Sequence, residues 1–243
     1  MEQHYENYTS EDQLVWQLLF DRQMNILPNL ASKDYLDGIK AIGFESERIP
    51  NFEQMNKNLS KITGWEVCVV AGLIPNKEFF ELLAKQQFPA STWLRKLDQL
   101  DYLEEPDMFH DVFAHVPLLT NQNFCDFLKG LSKIALQFID NEEAIESIAS
   151  IYWYTVEFGL IKTSDKILQI YGAGILSSSS ESLYSLQSEI PKRLPYDVEL
   201  LAKTPYIKDK FQEQYFVIES YQQLYESLPE IAKVIEKQVL VKA

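Results

Sequence analysis

The segment EPDMFHDVFAH, from Glu105 to His115, contains two of the three histidines in a chain of 243 residues. These two, His110 and His115, stand five positions apart among carboxylates and large apolar side chains. On a straight α-helix that spacing turns the second side chain about 140° away from the first, so the two cannot face one ion. Pro117 disfavours helical geometry at Val116 and predicts that the helix ends there, with His115 where the chain turns away. The spacing therefore permits a shared metal ion but does not require one.

A third candidate ligand lies in a long apolar stretch. In SIASIYWYTVEFGLI, from Ser147 to Ile161, Glu157 is the one charged residue. An ionised carboxylate that is buried without a partner is costly, and a cation removes that cost. Two histidines and a carboxylate are typical of non-haem iron(II) oxygenases, and with zinc and a water they form a hydrolase site. The residues alone also allow a simpler interpretation, in which the histidines are ordinary core or surface residues and Glu157 pairs with a Lys or Arg.

Composition and short motifs exclude several classes of protein. The formal net charge of −14 argues against nucleic acid and anionic membranes as partners. Cys68 and Cys125 form no CxxC motif, so neither a disulfide framework nor a zinc ribbon is expected. The GxSxG, Walker and GxGxxG motifs are absent, and so are a secretory signal and an apolar run long enough to span a membrane. We expect a cytoplasmic protein whose residues 1–243 form a single domain.

Hydrophobic periodicity predicts an α+β fold in which helices predominate. The first helix is expected to have Ser10 as its cap and to bury a face that consists of Leu14, Val15, Leu18 and Leu19. A later helix is expected to follow an Asn141 cap and to continue to Ile161, and Pro229 interrupts the last helix. Further helices are predicted at 32–41, 52–62, 76–86 and 121–139, and short strands within 65–74, 168–171 and 214–218.

Five motifs, in order along the chain, are similar to those of the pterin-dependent aromatic amino acid hydroxylases, in particular the short bacterial phenylalanine 4-hydroxylases. They are TGWEVCVVAGLIPNKEFF (63–80), FPASTWLRKLDQLDYLEEPDMFHDVFAHVPLL (88–119), IYWYTVEFGLI (151–161), IYGAGILSSSSES (170–182) and FQEQYFVIESYQQLY (211–225). The resemblance implies the catalytic-domain fold of that family, which is α+β and predominantly α-helical with short β-strands. One departure is Ala114, where the family usually has Gly, and the extra methyl leaves open only how that position packs.

The resemblance also implies a set of site residues. The iron ligands would be His110, His115 and Glu157, in agreement with the argument from their side chains. Of the substrate residues, Arg95 would bind the amino acid's carboxylate, and Ser177 would form a hydrogen bond near His110. The residues that wall the aromatic ring would be Pro106, Trp153, Phe158 and Gly174. The pterin residues would be Val70, Gly72, Leu73, Ile74, Phe79, Asp111, Ala149 and Tyr152.

The implied reaction is the hydroxylation of L-phenylalanine to L-tyrosine with O2 and tetrahydrobiopterin, or a related reduced pterin, at Fe(II). Tryptophan-hydroxylating members tend to have Phe at Trp153, and tyrosine-hydroxylating members have Asp at Val217, so both positions favour phenylalanine. The regulatory domain and tetramerising helix of the animal enzymes are missing, so we expect a monomer. The alternatives are another aromatic substrate (tryptophan, or 3-hydroxylation of phenylalanine), a zinc hydrolase with the same ligands, and a non-catalytic helical binding protein.

Overall fold

The computed structural model describes residues 1–101, 103 and 105–241. The α-helices are Ser10–Met24 (α1), Lys33–Ile42 (α2), Phe52–Ile62 (α3), Asn76–Ala84 (α4), Gln122–Gln137 (α5), Glu142–Tyr152 (α6), Ala173–Leu176 (α7), Ser179–Gln187 (α8), Val198–Leu201 (α9), Tyr221–Glu226 (α10) and Leu228–Val241 (α11). The strands are Glu66–Val69 (β1), Gln87–Ala90 (β2), Leu160–Lys162 (β3), Leu168–Ile170 (β4), Lys192–Pro195 (β5) and Gln214–Ile218 (β6). Helices predominate, so the predicted α+β class is confirmed. Within the described ranges, no helix combines the length and the apolar character needed to cross a membrane.

Capping residues fix several helix ends where they were predicted. Ser32 caps α2 by accepting a hydrogen bond from the Tyr35 backbone N–H, and Gly43 ends that helix with a left-handed φ of +84°. Asn141 caps α6 in the same way as Ser32 caps α2. A side-chain acceptor satisfies an N–H that the first turn leaves unpaired, and glycine adopts a left-handed φ without steric cost. These ends are therefore decided by local chemistry.

The first helix differs from its prediction in both its cap and its buried face. Thr9, not Ser10, is the cap, and it forms a reciprocal capping box with Asp12. Leu14 and Leu18 are each 42% exposed. The face that is buried consists of Val15, Trp16, Leu19, Phe20 and Gln23. Burying the two large aromatic rings removes more apolar surface from water than burying two leucines, and this decides the rotation of the helix.

The helix predicted to continue to Ile161 ends earlier. α6 stops at Tyr152, a π-helical segment occupies Trp153–Glu157, and the chain then enters β3. The residues of β3 pair with β4 on one side and with β6 on the other. A short apolar run is compatible with either helix or strand, and here the pairing partners decide for strand.

Two other helix boundaries follow from single residues. α4 ends at Ala84, before the predicted end at Gln86, because Gln86 has a left-handed φ of +62° where the chain turns into β2. The predicted interruption near Pro229 is confirmed, since α10 ends at Glu226 and α11 begins at Leu228. Pro229 lies in the first turn of α11. The backbone N–H groups of a first turn have no partner within the helix, so a proline there costs no helical hydrogen bond.

The strands form two sheets. β1 and β2 pair in parallel, and the other four have the order β4-β3-β6-β5, in which β3 and β4 are the antiparallel pair. The predicted strands are confirmed as β1, β4 and β6. The other three strands show no strand-like sequence pattern and were not predicted. β2 contains a proline, β3 lies in an apolar run of helical spacing, and β5 is charged. β3 follows directly on the π-helical segment 153–157, so its pairing fixes where that segment ends.

Aromatic packing positions a second π-helical segment, Phe109–His115. The rings of Phe109 and Phe113 stack with their centroids 4.5 Å apart, and they meet Trp16 and Phe20 of α1 edge to face. On its other side this segment contacts α7, which also contacts the π-helical segment 153–157. The two π-helical segments are therefore held beside each other, with α7 as a shared support.

Candidate active site

His110 and His115 face the same point, although they are five positions apart. Phe109–His115 is a π-helix, whose backbone hydrogen bonds join residues five apart, so side chains at that spacing lie one turn above each other. The two Nε2 atoms are 3.2 Å apart. Val116 has helical dihedrals, with φ −63° and ψ −35°, so the prediction that helical geometry stops there is wrong. A wider helical turn, and not an interruption, brings the two imidazoles together.

Pro117 still marks the place where regular helix fails. It has no N–H to offer the carbonyl of Phe113, four residues earlier. The hydroxyl of Tyr35, a fully buried residue of α2, donates to that carbonyl at 2.9 Å. The chain then continues as a 3-10 helix from Val116 to Thr120. A side chain from another helix thus satisfies the backbone group that proline leaves without a partner.

Glu157 reaches the two histidines from the other π-helical segment. There the backbone N–H of Phe158 donates to the carbonyl of Trp153 at 2.8 Å, a hydrogen bond across five residues. Glu157 Oε1 lies 3.2 Å from His115 Nε2, and Oε2 lies 3.5 Å from His110 Nε2. One ligand atom from each of the three side chains lies within 4.8 Å of the other two. The structure therefore brings all three predicted ligands together.

The donor atoms of this group suit a divalent cation. Ser177 donates its hydroxyl to the carbonyl of Ala173 at 2.9 Å, so its oxygen, 3.0 Å from His110 Nδ1, accepts the proton on that nitrogen. The lone pair of His110 is then on Nε2, the atom that faces Glu157. Two imidazole nitrogens and a carboxylate are a ligand set that both Fe(II) and Zn(II) accept.

The protonation states of the group also favour a cation. Burial lowers the pKa of His110, which keeps this imidazole neutral. Burial would raise the pKa of Glu157, but His115 beside it holds that pKa below its ordinary value. Imidazole and carboxylate ligands must be deprotonated to bind a metal, and both shifts favour that state.

Two cavities meet at His110 and Glu157, and His115 lines the smaller of them. The larger, of about 750 Å³, is lined by every residue predicted for the substrate, namely Arg95, Pro106, Trp153, Phe158, Gly174 and Ser177. The smaller, of about 310 Å³, is lined by every residue predicted for the pterin, namely Val70, Gly72, Leu73, Ile74, Phe79, Asp111, Ala149 and Tyr152. His110, Trp153 and Glu157 line both cavities. Two small molecules can therefore approach one metal position from two sides.

Arg95, which lines the larger cavity, belongs to a buried ion pair whose other member, Asp107, was not predicted from the sequence. Asp107 accepts hydrogen bonds from the side chain of Arg95 and, at 3.2 Å, from the backbone N–H of His110. Burial would raise the pKa of Asp107, but Arg95 holds it below its ordinary value. Asp107 thus supports both a predicted substrate residue and the start of the π-helical segment. Asp107 could have been found from the sequence as a helix-capping Asp, since it lies three residues before His110.

The smaller cavity combines a carboxylate with aromatic walls. Asp111 accepts a hydrogen bond from the backbone N–H of Ser91 at 2.8 Å, and burial raises its pKa. The ring of Phe79 meets Tyr152 edge to face, with the centroids 5.5 Å apart. Phe79 is half-buried, so part of its ring remains open to the cavity. A flat heterocycle with polar edges suits such walls.

Residues 208–212 line the larger cavity and were not predicted as site residues. Lys208 lines both cavities, and Gln212 lines the larger one. The indole Nε1 of Trp153 donates to Gln212 Oε1 at 3.0 Å. The segment 205–212 has no helix or strand, so it carries no periodicity that could have indicated its position.

Comparison with known proteins agrees with this geometry. The model of the biopterin-dependent aromatic amino acid hydroxylase family matches residues 4–243. The chain belongs to this family. The resemblance drawn from the five motifs is therefore confirmed.

Relatives of this hydroxylase include bacterial proteins and a solved structure. It is 47% identical to the phenylalanine-4-hydroxylase of Ralstonia nicotianae, over 93% of its own chain and 72% of the relative. It is 44% identical to the phenylalanine-4-hydroxylase of Chromobacterium violaceum, over 93% of its own chain and 75% of the relative. A crystal structure of the C. violaceum phenylalanine hydroxylase with bound iron(III) and oxidised cofactor 7,8-dihydrobiopterin matches with a TM-score of 0.93 at 43% identity, covering 98% of this chain and 86% of that one. The expected catalytic-domain fold is confirmed.

Proposed function

We propose that this hydroxylase is a phenylalanine 4-monooxygenase, which converts L-phenylalanine to L-tyrosine with O2 and tetrahydrobiopterin at a non-haem Fe(II). The observation that carries the proposal is the convergence of His110, His115 and Glu157 where two cavities meet. A pterin-dependent oxygenase needs a metal with open positions and room beside it for two organic molecules. Relatives named phenylalanine-4-hydroxylase, at 47% and 44% identity, support the choice of substrate.

His110, His115 and Glu157 would hold the iron on one face and leave the opposite face open. When bound, the iron and the reduced pterin together supply the activation of O2. Ser177 would keep the His110 ring oriented, because its hydrogen bond to Nδ1 determines which nitrogen faces the metal. The two π-helical segments would hold the three ligands in place before the organic molecules bind.

Arg95 would bind the carboxylate of the amino acid. Asp107 engages the edge of the guanidinium formed by Nε and Nη2, which leaves the edge formed by Nη1 and Nη2. A guanidinium has five N–H donors, so a second carboxylate can still form two hydrogen bonds at that free edge. Pro106, Trp153, Phe158 and Gly174 would wall the aromatic ring of the substrate.

The pterin would lie in the smaller cavity, on the other side of the metal position. Phe79 would stack on the pterin ring, and the backbone of the loop 72–74 would form hydrogen bonds with its polar edge. Val70, Ala149 and Tyr152 would supply the remaining walls, and Asp111 would accept a hydrogen bond from the pterin or from a water. The arrangement would exclude bulk water from the space between pterin and metal.

We further propose that residues 1–243 form one catalytic domain that works as a monomer in the cytoplasm. The described residues share one hydrophobic core. Cys68 and Cys125 are free, as is usual for proteins of a reducing compartment. The partners are small molecules: L-phenylalanine, the pterin and O2. Light scattering on the purified chain tests the oligomeric state, and a mass of two or more copies would contradict the monomer.

The reaction is tested with the purified chain and a Glu157→Ala variant. With Fe(II), the wild type is expected to form L-tyrosine from L-phenylalanine only when tetrahydrobiopterin is present, as chromatography of the product will show. Glu157→Ala is expected to lose turnover and bound iron together, the latter measured by elemental mass spectrometry. Glu53→Gln, at an exposed carboxylate of α3, is the control and should change neither quantity.

Each other outcome selects a different function. Pterin-independent hydrolysis with firmly bound zinc would indicate a zinc hydrolase. Hydroxylation of L-tryptophan, or of phenylalanine at position 3, would keep the scaffold and change the reaction. Full activity in Glu157→Ala would refute the assigned ligands.

A further inference from the structure

Gln212 joins several parts of the wall of the larger cavity. It is 2% exposed and lines that cavity. Its Oε1 accepts a hydrogen bond from Trp153 Nε1 at 3.0 Å, and its Nε2 donates to the carbonyl of Ile207 at 2.8 Å. Its backbone N–H donates to Glu181 Oε1 at 3.3 Å. Both ends of the buried side-chain amide are used, so removing the amide leaves two buried groups without their partner.

The indole of Trp153 lies between two other rings. Phe158 is 4.7 Å away at an interplanar angle of 32°, and Tyr206 is 5.0 Å away at 28°. Nearly parallel neighbours fix the plane of the indole but not which of its edges faces the cavity, because a half-turn about the Cβ–Cγ bond keeps the same plane. The hydrogen bond from Nε1 to Gln212 removes this freedom. Because Trp153 lines both cavities, its rotation sets the shape of the wall next to the metal position.

The segment 205–211 is held to the cavity by the same residue. It has no helix or strand, yet it supplies Lys208, Asp209, Lys210 and Phe211 to the cavity wall. Gln212 Nε2 bonds to the carbonyl of Ile207 and lies 3.4 Å from that of Lys210. A separate contact, from the Tyr154 hydroxyl to the carbonyl of Pro205 at 2.8 Å, holds the start of the segment. Gln212 therefore secures the part of the segment nearest to the cavity.

Glu181 gives Gln212 a rigid attachment. This residue of α8 is 5% exposed, and its Oε1 also accepts a hydrogen bond from the hydroxyl of Tyr215 in β6. Tyr215 is fully buried. The backbone of Gln212 is thus tied to a helix and a strand, and its side chain transmits that position to Trp153 and to the segment 205–211.

We infer that Gln212 is a positioning residue for the aromatic ring of the substrate, because it fixes the rotation of Trp153 and secures the segment 205–211 at the same time. The inference rests on the proposed function for the identity of the substrate. It goes beyond that function by naming the residue that orients the ring wall. Gln212 lines the larger cavity and is not among the residues that line the smaller one, whereas Trp153 lines both, so the binding of phenylalanine should be affected more than the binding of the pterin.

Gln212→Met tests the inference, since it keeps the length of the side chain and removes both hydrogen-bonding ends. The KM for L-phenylalanine is expected to rise about tenfold, the effect of losing roughly one buried hydrogen bond. The KM for tetrahydrobiopterin should rise by a smaller factor than the KM for L-phenylalanine, because Gln212 lines the larger cavity and not the smaller one. The tyrosine formed per pterin oxidised should fall, because the ring is no longer held in one orientation. Gln187→Met, at an exposed position of α8, is the matched control and should leave all three quantities unchanged.

A second variant shows whether Gln212 acts through Trp153. Trp153→Phe keeps an aromatic ring and removes the indole N–H. If Gln212 acts through that N–H, adding Gln212→Met to Trp153→Phe changes the KM for phenylalanine by less than about twofold, because the hydrogen bond is already lost. A parallel measurement needs no substrate: trypsin should cleave after Lys208 or Lys210 faster in Gln212→Met than in the wild type.

The inference is overturned by an unchanged KM for phenylalanine in Gln212→Met. It is equally overturned if the double variant shows the full effect of both single changes, or if kcat falls together with the melting temperature while KM and cleavage stay constant. If the wild type does not hydroxylate phenylalanine at all, the proposed function fails instead. The rate of trypsin cleavage then still decides whether Gln212 secures the segment 205–211.

Discussion

Arg95, in the wall of the larger cavity, donates two parallel hydrogen bonds to Asp107 behind it, from Nε to Oδ2 at 2.8 Å and from Nη2 to Oδ1 at 2.9 Å. Their side chains are 8% and 0% exposed. A buried pair of this kind adds little to stability as a pair, but removing one partner leaves the other charge uncompensated. Asp107 therefore stabilises the charged guanidinium of Arg95 in a place that water does not reach to solvate it.

Asp107→Asn is expected to destabilise the protein by about 3 kcal/mol, because the Arg95 guanidinium stays buried without a counter-charge. The KM for L-phenylalanine should rise as well, since Arg95 is no longer fixed in one orientation. Urea denaturation and steady-state kinetics measure the two effects. Asp37→Asn is the control, because Asp37 pairs with Lys33 at the surface of α2 and its loss should not be detectable. Wild-type stability in Asp107→Asn would contradict this account of the pair.

Glu181 should make part of the stability fall as the pH rises. Burial raises the pKa of Glu181 above its ordinary value, although the hydrogen bond from Tyr215 opposes that shift. A carboxyl whose folded-state pKa is raised contributes its full stability below the unfolded-state pKa and loses it as the pH rises through the folded-state value. Glu181→Gln removes this dependence, because its amide carries no charge at any pH.

Near the unfolded-state pKa of about 4.3, the free energy of unfolding is expected to be similar in the wild type and in Glu181→Gln. As the pH rises from there, the free energy of unfolding of the variant should increase relative to that of the wild type. Urea denaturation at several values between about pH 4 and pH 8 measures the difference. Glu236→Gln, at an exposed position of α11, should follow the wild-type curve. If the difference in free energy of unfolding between Glu181→Gln and the wild type becomes smaller as the pH rises, the raised pKa of Glu181 is not the cause.

Gly172→Ala should displace the segment that carries Glu157. A Cβ at this position would lie 2.4 Å from the carbonyl oxygen of Glu157 and 2.4 Å from the backbone nitrogen of Gly159. Both are backbone atoms, so the chain itself must move, at a cost of about 2 kcal/mol. We expect weaker iron binding in a titration, together with lower stability.

Gly130→Ala is the matched control for that substitution. Its Cβ would meet Leu228 Cδ1 at 2.2 Å, which is the far end of a flexible side chain that can rotate away. The control should therefore cost less stability and keep the iron affinity of the wild type. Equal iron affinity in Gly172→Ala and the wild type would show that this close approach does not position Glu157.

Tyr35→Phe should weaken the junction between the π-helix and the 3-10 helix. It leaves the carbonyl of Phe113 buried without the donor that replaces the missing N–H of Pro117, at a cost of about 1–3 kcal/mol. The iron affinity should fall too, because His110 and His115 share a side of the segment only while it stays π-helical. Tyr225→Phe, at a residue that is 46% exposed, removes a hydroxyl of the same kind and should change neither quantity. A Tyr35→Phe variant as stable as the wild type would mean that water replaces the hydroxyl.

Local sequence determined those features that depend on a few neighbouring residues. The ends of α2 follow from Ser32 and Gly43, and the start of α6 follows from Asn141, because a capping side chain or a left-handed glycine acts within one helical turn. Glu157 could be singled out because a charge in an apolar run needs a partner wherever it is buried. The same local rules failed for α1, where the aromatic rings of Trp16 and Phe20 decided the buried face.

Tertiary structure alone decided how the candidate ligands and the cavity walls come together. His110 and His115 share one side of their segment because Tyr35, from another helix, and the stacked rings of Phe109 and Phe113 hold it in π-helical form. Asp107 and Gln212 gave almost no signal of their own, since Gln212 meets a residue 59 positions away. Backbone propensity acts over a few residues, whereas contacts between distant segments depend on how the whole core packs. Sequence could therefore indicate candidate side chains for the chemistry, and only the folded chain could place them.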